Sequence, residues 1–242
     1  MQATFSFGQS ADLRKIRDRL RAVFGTIRDE RRLDPLSQFV RAFIGSRTYD
    51  KTSWDAFLRL TGKYRSWDEV ADAPVKDVEA ALSQVPFSDV KAQDLILALQ
   101  KIRTRAGTLN LDFLATLAVP TALVWLEQIH GVGRKIAAAT LNFSTLRKRS
   151  FVVDAHVVRV MQRFGFAKPN ADIESVHDSV MASAEGLDAD DLYELHWYLK
   201  GLGLKTCTQY RALCDGCALS DLCLKRIEKG AVAVSRTRRV SA

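Results

Sequence analysis

Nearly all of this 242-residue chain carries apolar residues at the three-to-four spacing of a helix; only Ser150–Asp154, SFVVD, reads as β-like. The periodic segments are 12–27, 34–46, 52–64, 77–85, 91–107, 112–118, 120–129, 134–143, 155–165, 175–184 and 190–203. Asp34 before Pro35, Ser53 before Trp54 and Asp190 before Asp191 are suited to opening helices. Gly107, Gly165 and Gly201 are suited to closing them. One short extended piece cannot form a sheet, so the expected class is all-α.

Apolar residues make up 47% of the chain, enough for a real core, and no apolar run approaches the roughly 18 residues of a membrane span. The N-terminal sequence lacks a basic region followed by an apolar run, so a cytoplasmic compartment with reduced thiols is expected, and no membrane partner. A net charge of +8 is weak support for a polyanionic partner. Residues 230–242 are small and arginine-rich without an apolar period, and are expected to form a disordered basic tail.

All four cysteines fall in one segment, spaced Cys207-x6-Cys214-x2-Cys217-x5-Cys223. A disulfide framework fits poorly in a signal-less chain of this size. Structural zinc usually takes two close pairs, and only Cys214 and Cys217 make one. An iron–sulfur cluster suits the wider gaps better, with zinc and unligated thiols still open. Lys200, Lys205, Arg211, Lys225, Arg226 and Lys229 surround the segment, either as a solvated basic surface or as cations presented to phosphates.

Upstream, LEQIHGVGRKIAAATLNF reads as helix, glycine break, helix. The break at Gly131, Val132 and Gly133 leaves backbone amides and a positive helix end suited to a phosphate, although a plain turn would look the same. Lys135 stands in the first turn of the second helix, where a cation opposes the helix dipole. A residue that conflicts with its local preference marks a functional candidate. Asp154 ends the extended piece and opens the next helix, as an N-cap or as a carboxylate facing a cationic transition state.

In order and spacing, GVGRK at 131–135, VDAH at 153–156 and the cysteine segment resemble the endonuclease III family of helix-hairpin-helix DNA glycosylases, over roughly residues 12 to 229. The resemblance implies a 4Fe-4S cluster on Cys207, Cys214, Cys217 and Cys223. It implies that Lys135 attacks C1′ of a damaged nucleoside and that Asp154 assists. Gly131, Val132, Gly133 and Arg134 would hold a DNA phosphate, and His156 would orient Asp154 or pack. The partner would be double-stranded DNA with a damaged base or abasic site, met by a monomer. Arg47 and Phe87 stand where the family places a glutamine and a leucine that fill the space of the extruded base. Phe87 could equally be a core residue. His130, Ser88 and Asp89 also depart from the family's usual residues, so the lesion is not carried over. A damaged or modified pyrimidine leads, with mismatched thymine or uracil, or a non-cutting damage or redox sensor, as alternatives. Two lobes are implied: 34–150 with the hairpin, and 1–33 plus 151–229 with the cluster, with Lys135 and Asp154 at the cleft between them.

Overall fold

The computed structural model describes residues 10–27, 32–227 and 232–233. Eleven α-helices, two 3-10 turns and one two-residue strand pair make up the regular structure among them, so the chain is all-α. None of these helices is long and apolar enough to cross a membrane. The chain divides into two compact units, 31–150 and 1–30 with 151–242.

The 31–150 unit opens with α2 (Pro35–Ile44), where Pro35 sits in the first turn and the Asp34 carboxylate accepts from the Leu36 and Ser37 amides. Its apolar face, Leu36, Phe39, Val40, Phe43 and Ile44, is buried. It packs on α8 (Arg134–Phe143), whose small residues Ala137, Ala138 and Ala139 permit a close approach. Between them run α3 (Asp50–Lys63), α4 (Trp67–Ala71), α5 (Val75–Ala81), α6 (Ser88–Ala106) and α7 (Val119–Glu127). The unit's ends are joined where the Thr145 amide donates to the Leu33 carbonyl at 2.9 Å.

The other unit gathers α1 (Ser10–Phe24) with α9 (Ala155–Phe164), α10 (Ile173–Ser183) and α11 (Ala189–Lys205). Its core includes Leu13, Ile16, Leu20, Phe151, Val157, Met161, Leu195 and Leu199. Arg21 pairs with buried Glu194, which also accepts the Ile27 amide, and the Tyr198 hydroxyl donates to the Gly25 carbonyl, so α1 is fixed to α11.

Several expected boundaries move. Ser53 does not open α3, because its hydroxyl donates to the Asp50 carbonyl from inside the helix. Asp188, not Asp190, caps α11, in a reciprocal box with Asp191. Gly107 and Gly165 end their helices in the left-handed conformation, but Gly201 lies within α11. Residues 112–116 form a 3-10 turn, and α4 arises where no period was read. Most of the 230–242 tail lies outside the described residues, yet Val232–Ala233 pairs in parallel with Arg211–Ala212.

Gly131 is required twice over: its φ is +77°, and an added Cβ would meet the Phe43 ring at 3.1 Å. Gly131→Ala is expected to lower stability by about 1–2 kcal/mol. Gly62, in α3 with open space around it, should gain up to about 1 kcal/mol on the same change. Urea unfolding of the two variants checks the contrast.

Candidate functional site

In the 31–150 unit, three breaks between helices come together. The hairpin Ile129–Gly133 leans on α2 through Gly131 and Phe43, and His130 Nε2 lies 3.5 Å from Asp94 Oδ1 on α6. Gly133 is the N-cap of α8 and has no side chain to offer the helix amides. The Val132 amide donates to the Ile129 carbonyl at 3.1 Å and its side chain is buried, which ties both to the turn. Arg134 is tied in as well. Its guanidinium pairs with Glu127 on α7 and is mostly buried, which directs it into the protein.

Lys135 is half-buried, and its ammonium donates to the Gly45 carbonyl at 3.4 Å, just past the end of α2. The same turn carries Arg47, exposed and at φ 53°. Phe87, at φ 58° before α6, is 65% exposed. That exposure rules out the core role open to it in the sequence. Lys91, which drew no notice in the sequence, inserts its ammonium into the turn after α2. It donates to the Ile44 carbonyl (3.0 Å), the Ser46 carbonyl (2.5 Å) and Thr48 Oγ1 (2.7 Å). Burial, with the charges of Lys135 and Arg47, pushes Lys91 down to about 8.

In the other unit, the extended piece 151–153 is fully buried and has no partner strand among the described residues. Its carbonyls are taken by imidazoles: His177 Nδ1 donates to Phe151 O at 2.7 Å, and His196 Nδ1 to Val152 O at 2.8 Å. The segment delivers Asp154, 8% exposed, to the N-terminus of α9. There its carboxylate accepts from the His156 and Val157 amides, both at 2.9 Å. Burial alone would push the carboxyl up. His196, the Val157 amide, Lys200 and His156 outweigh it and hold the group below the usual carboxylate range. The His156 ring lies 3.1 Å from Arg159 Nη2, and its amide is a donor to Asp154. Lys200, grouped by sequence with the cysteine surface, instead lies 3.8 Å from Asp154 Oδ2 and over the Trp197 ring. Gly203 permits this packing, since an added Cβ would meet His156 Cβ at 3.0 Å.

The four cysteines are half-buried, in no disulfide, and line one cavity with Val160, Arg163, Phe164 and Leu202. Among the described residues no three or more Cys, His, Asp or Glu are drawn around a single-ion position. Arg163, 2% exposed, holds the start of the segment by donating to the Thr208 carbonyl (2.6 Å) and the Gln209 carbonyl (2.9 Å). Its Nη1 also lies 3.6 Å from Cys207 Sγ, and the Lys225 amide lies 3.3 Å from Cys223 Sγ. Burial and the neighbouring thiols push Cys217 and Cys223 up as isolated thiols. N–H donors aimed at sulfur and four thiols on one cavity suit a thiolate-held group. Lys229 lies outside the described residues.

The fold and its glycine turn define a helix-hairpin-helix protein. Residues 40–184 match the HhH-GPD superfamily of base excision DNA repair proteins, and the chain belongs to that superfamily as an endonuclease III-like member. Endonuclease III of Thermotoga maritima is 26% identical over 215 residues, covering 88% of this chain and 93% of that one. An Arabidopsis thaliana protein named as a DNA glycosylase is 28% identical over 137 residues. That match covers 57% of this chain and less than half, 46%, of the relative. A structure of endonuclease III trapped in a covalent intermediate with DNA superposes with a TM-score of 0.74 at 19% identity, over 90% of this chain and 97% of that one. A thermostable thymine-DNA glycosylase superposes at 0.67, also at 19% identity, over 89% and 94%.

Asp154→Ala is expected to cost about 1 kcal/mol through the lost cap, whereas Asp154→Asn keeps a capping oxygen. Because the folded carboxyl is lowered, the wild-type advantage over Asp154→Asn should be full above about pH 4. It should vanish as pH falls through the lowered native value. Paired denaturation curves across that range read it directly.

Proposed function

We propose that this chain is a DNA glycosylase with abasic-site lyase activity, acting on a damaged or modified pyrimidine in duplex DNA. The observation that supports it most is Lys135: an amine in the first turn after the hairpin, half-buried, held at the Gly45 carbonyl among Lys91 and Arg47. The uncharged amine is the nucleophile, so Lys135 must give up a proton before it attacks.

In the reaction assigned to it, the Lys135 nitrogen forms a bond to C1′ of the deoxyribose. The glycosidic bond breaks, and the base leaves with its electron pair and takes up a proton. The attached amine gives up one proton, the C1′–O4′ bond breaks with its electron pair going to O4′, which takes up a proton, and a protonated Schiff base remains. Removal of a C2′ proton then expels the 3′ phosphate and nicks the strand. Asp154 is assigned the carboxylate's part. It stays ionised through its amide and cationic neighbours and is suited to oppose the positive charge that grows on the sugar. The target nucleotide must leave the stack first, at a cost of about a few kcal/mol. Arg47 and Phe87 are assigned the vacated space: a guanidinium to donate to the orphaned base and a ring to stack.

Cys207, Cys214, Cys217 and Cys223 would hold a 4Fe-4S cluster, which when bound ties the C-terminal segment into a fixed loop. Arg163 offsets thiolate charge there and fixes the chain on either side of Cys207.

Borohydride should trap wild type covalently on a duplex with an abasic site, and Lys135→Ala should give no adduct. Equal trapping by the variant would reject the nucleophile, and absence of trapping by wild type would favour a non-cutting binder. Excision panels with modified pyrimidines and with mismatched thymine or uracil separate the substrate classes. The purified protein should be brown, with iron and acid-labile sulfide in equal amounts. A colourless protein filled with zinc would reject the cluster.

A further inference from the structure

Arg47 and Phe87 share a property with few other residues here. Both are non-glycine residues at positive φ, and both are exposed at a break between helices. That backbone conformation costs on the order of 1–3 kcal/mol and persists only where the surroundings enforce it. Neither residue has local chemistry that would do so. Phe87, as N-cap of α6, has no capping oxygen, and Arg47 lies just past the Gly45 C-cap of α2.

One side chain ties the two places together. Lys91 stands in the first turn of α6, where its amide makes the ordinary helix bond to the Phe87 carbonyl at 2.9 Å. Its ammonium donates to Ile44, Ser46 and Thr48, on either side of Arg47. Thr48 Oγ1 in turn donates to the Ser46 carbonyl at 3.0 Å, which closes the turn around the ammonium. An ammonium has three hydrogens to give, and these three acceptors match them. Lys91 is therefore not a phosphate contact. Its position between Lys135 and Arg47 is electrostatically unfavourable, and a hydrocarbon side chain there would avoid the repulsion. Three charge-assisted bonds to main chain and hydroxyl are what a lysine adds.

We propose that Lys91 is a positioning residue that sets Arg47 and Phe87 as a matched pair for entering a DNA duplex where a nucleotide has been extruded. The proposal rests on the glycosylase reading above and deepens it. Lys91 touches no substrate in this scheme; it acts through the two tips it joins. A planar guanidinium cannot direct three bonds into the same tetrahedral pattern, so arginine should replace it only in part.

The test is a mutant cycle with the cluster-loaded full chain and a duplex holding a tetrahydrofuran abasic analogue opposite 2-aminopurine. Binding is measured against the undamaged duplex, and fluorescence reports stacking at the gap. Lys91→Met in wild type should reduce the preference for the abasic duplex on the order of tenfold and abolish the fluorescence change. In the Arg47→Ala/Phe87→Ala background it should reduce neither further. Lys91→Arg should restore part of both signals. Thr48→Val, which removes one acceptor and leaves the lysine, should follow the same pattern with a smaller loss, and it carries the test if Lys91→Met does not fold. Equal losses in both backgrounds, or no loss in wild type, overturn the proposal. A wild type that neither prefers the abasic duplex nor traps covalently overturns the glycosylase reading instead. One that does both while Lys91→Met behaves like it overturns only the role of Lys91.

Discussion

Every helix leaves backbone donors at one end and acceptors at the other without partners, and a chain built almost wholly of helices must satisfy them at each break. In this protein several of the side chains that meet that demand are the ones proposed above to have chemical consequence. Lys91 and Lys135 serve the carbonyls that follow α2. Asp154 serves the amides of α9, and Arg163 serves the carbonyls of the segment that follows α11. Each is ionisable and at least half-buried, and for Lys91 and Asp154 the fixed position comes with a displaced pKa.

This coupling explains why a structural device and a reactive group are hard to separate here. Asp154 would cap α9 in any helical protein. Burial pushes the same carboxyl up, but His196, the Val157 amide and Lys200 outweigh it and hold the group below the usual carboxylate range. The hairpin shows the opposite division. Val132 and Arg134 are absorbed by the turn and by Glu127, while the glycines give the shape and Lys135 is the residue proposed above for the chemistry.

What could be read from the sequence was what depends on near neighbours. The Asp34 cap, the left-handed ends at Gly107 and Gly165, the hairpin glycines and the cysteine spacing all act over a few residues. Lys91 escaped notice because its partners lie 43 to 47 positions away. Lys200 looked like a solvated cation because nothing near it in sequence marks the approach to Asp154. Gly201 was read as a helix end. It lies inside α11, two positions before Gly203, which is small because His156 and Arg159 press against it. Arg47 and Phe87 were placed by resemblance, and their unusual backbone conformations could only be seen in three dimensions.

The two imidazoles that hold the extended piece before Asp154 have their tautomers fixed by what they grip. A carbonyl can only accept, so His177 and His196 each carry a hydrogen on Nδ1. The piece that presents the carboxylate is thus gripped by rings 26 and 44 positions further along the chain, and replacing either ring with an apolar side chain would strand a buried carbonyl next to Asp154.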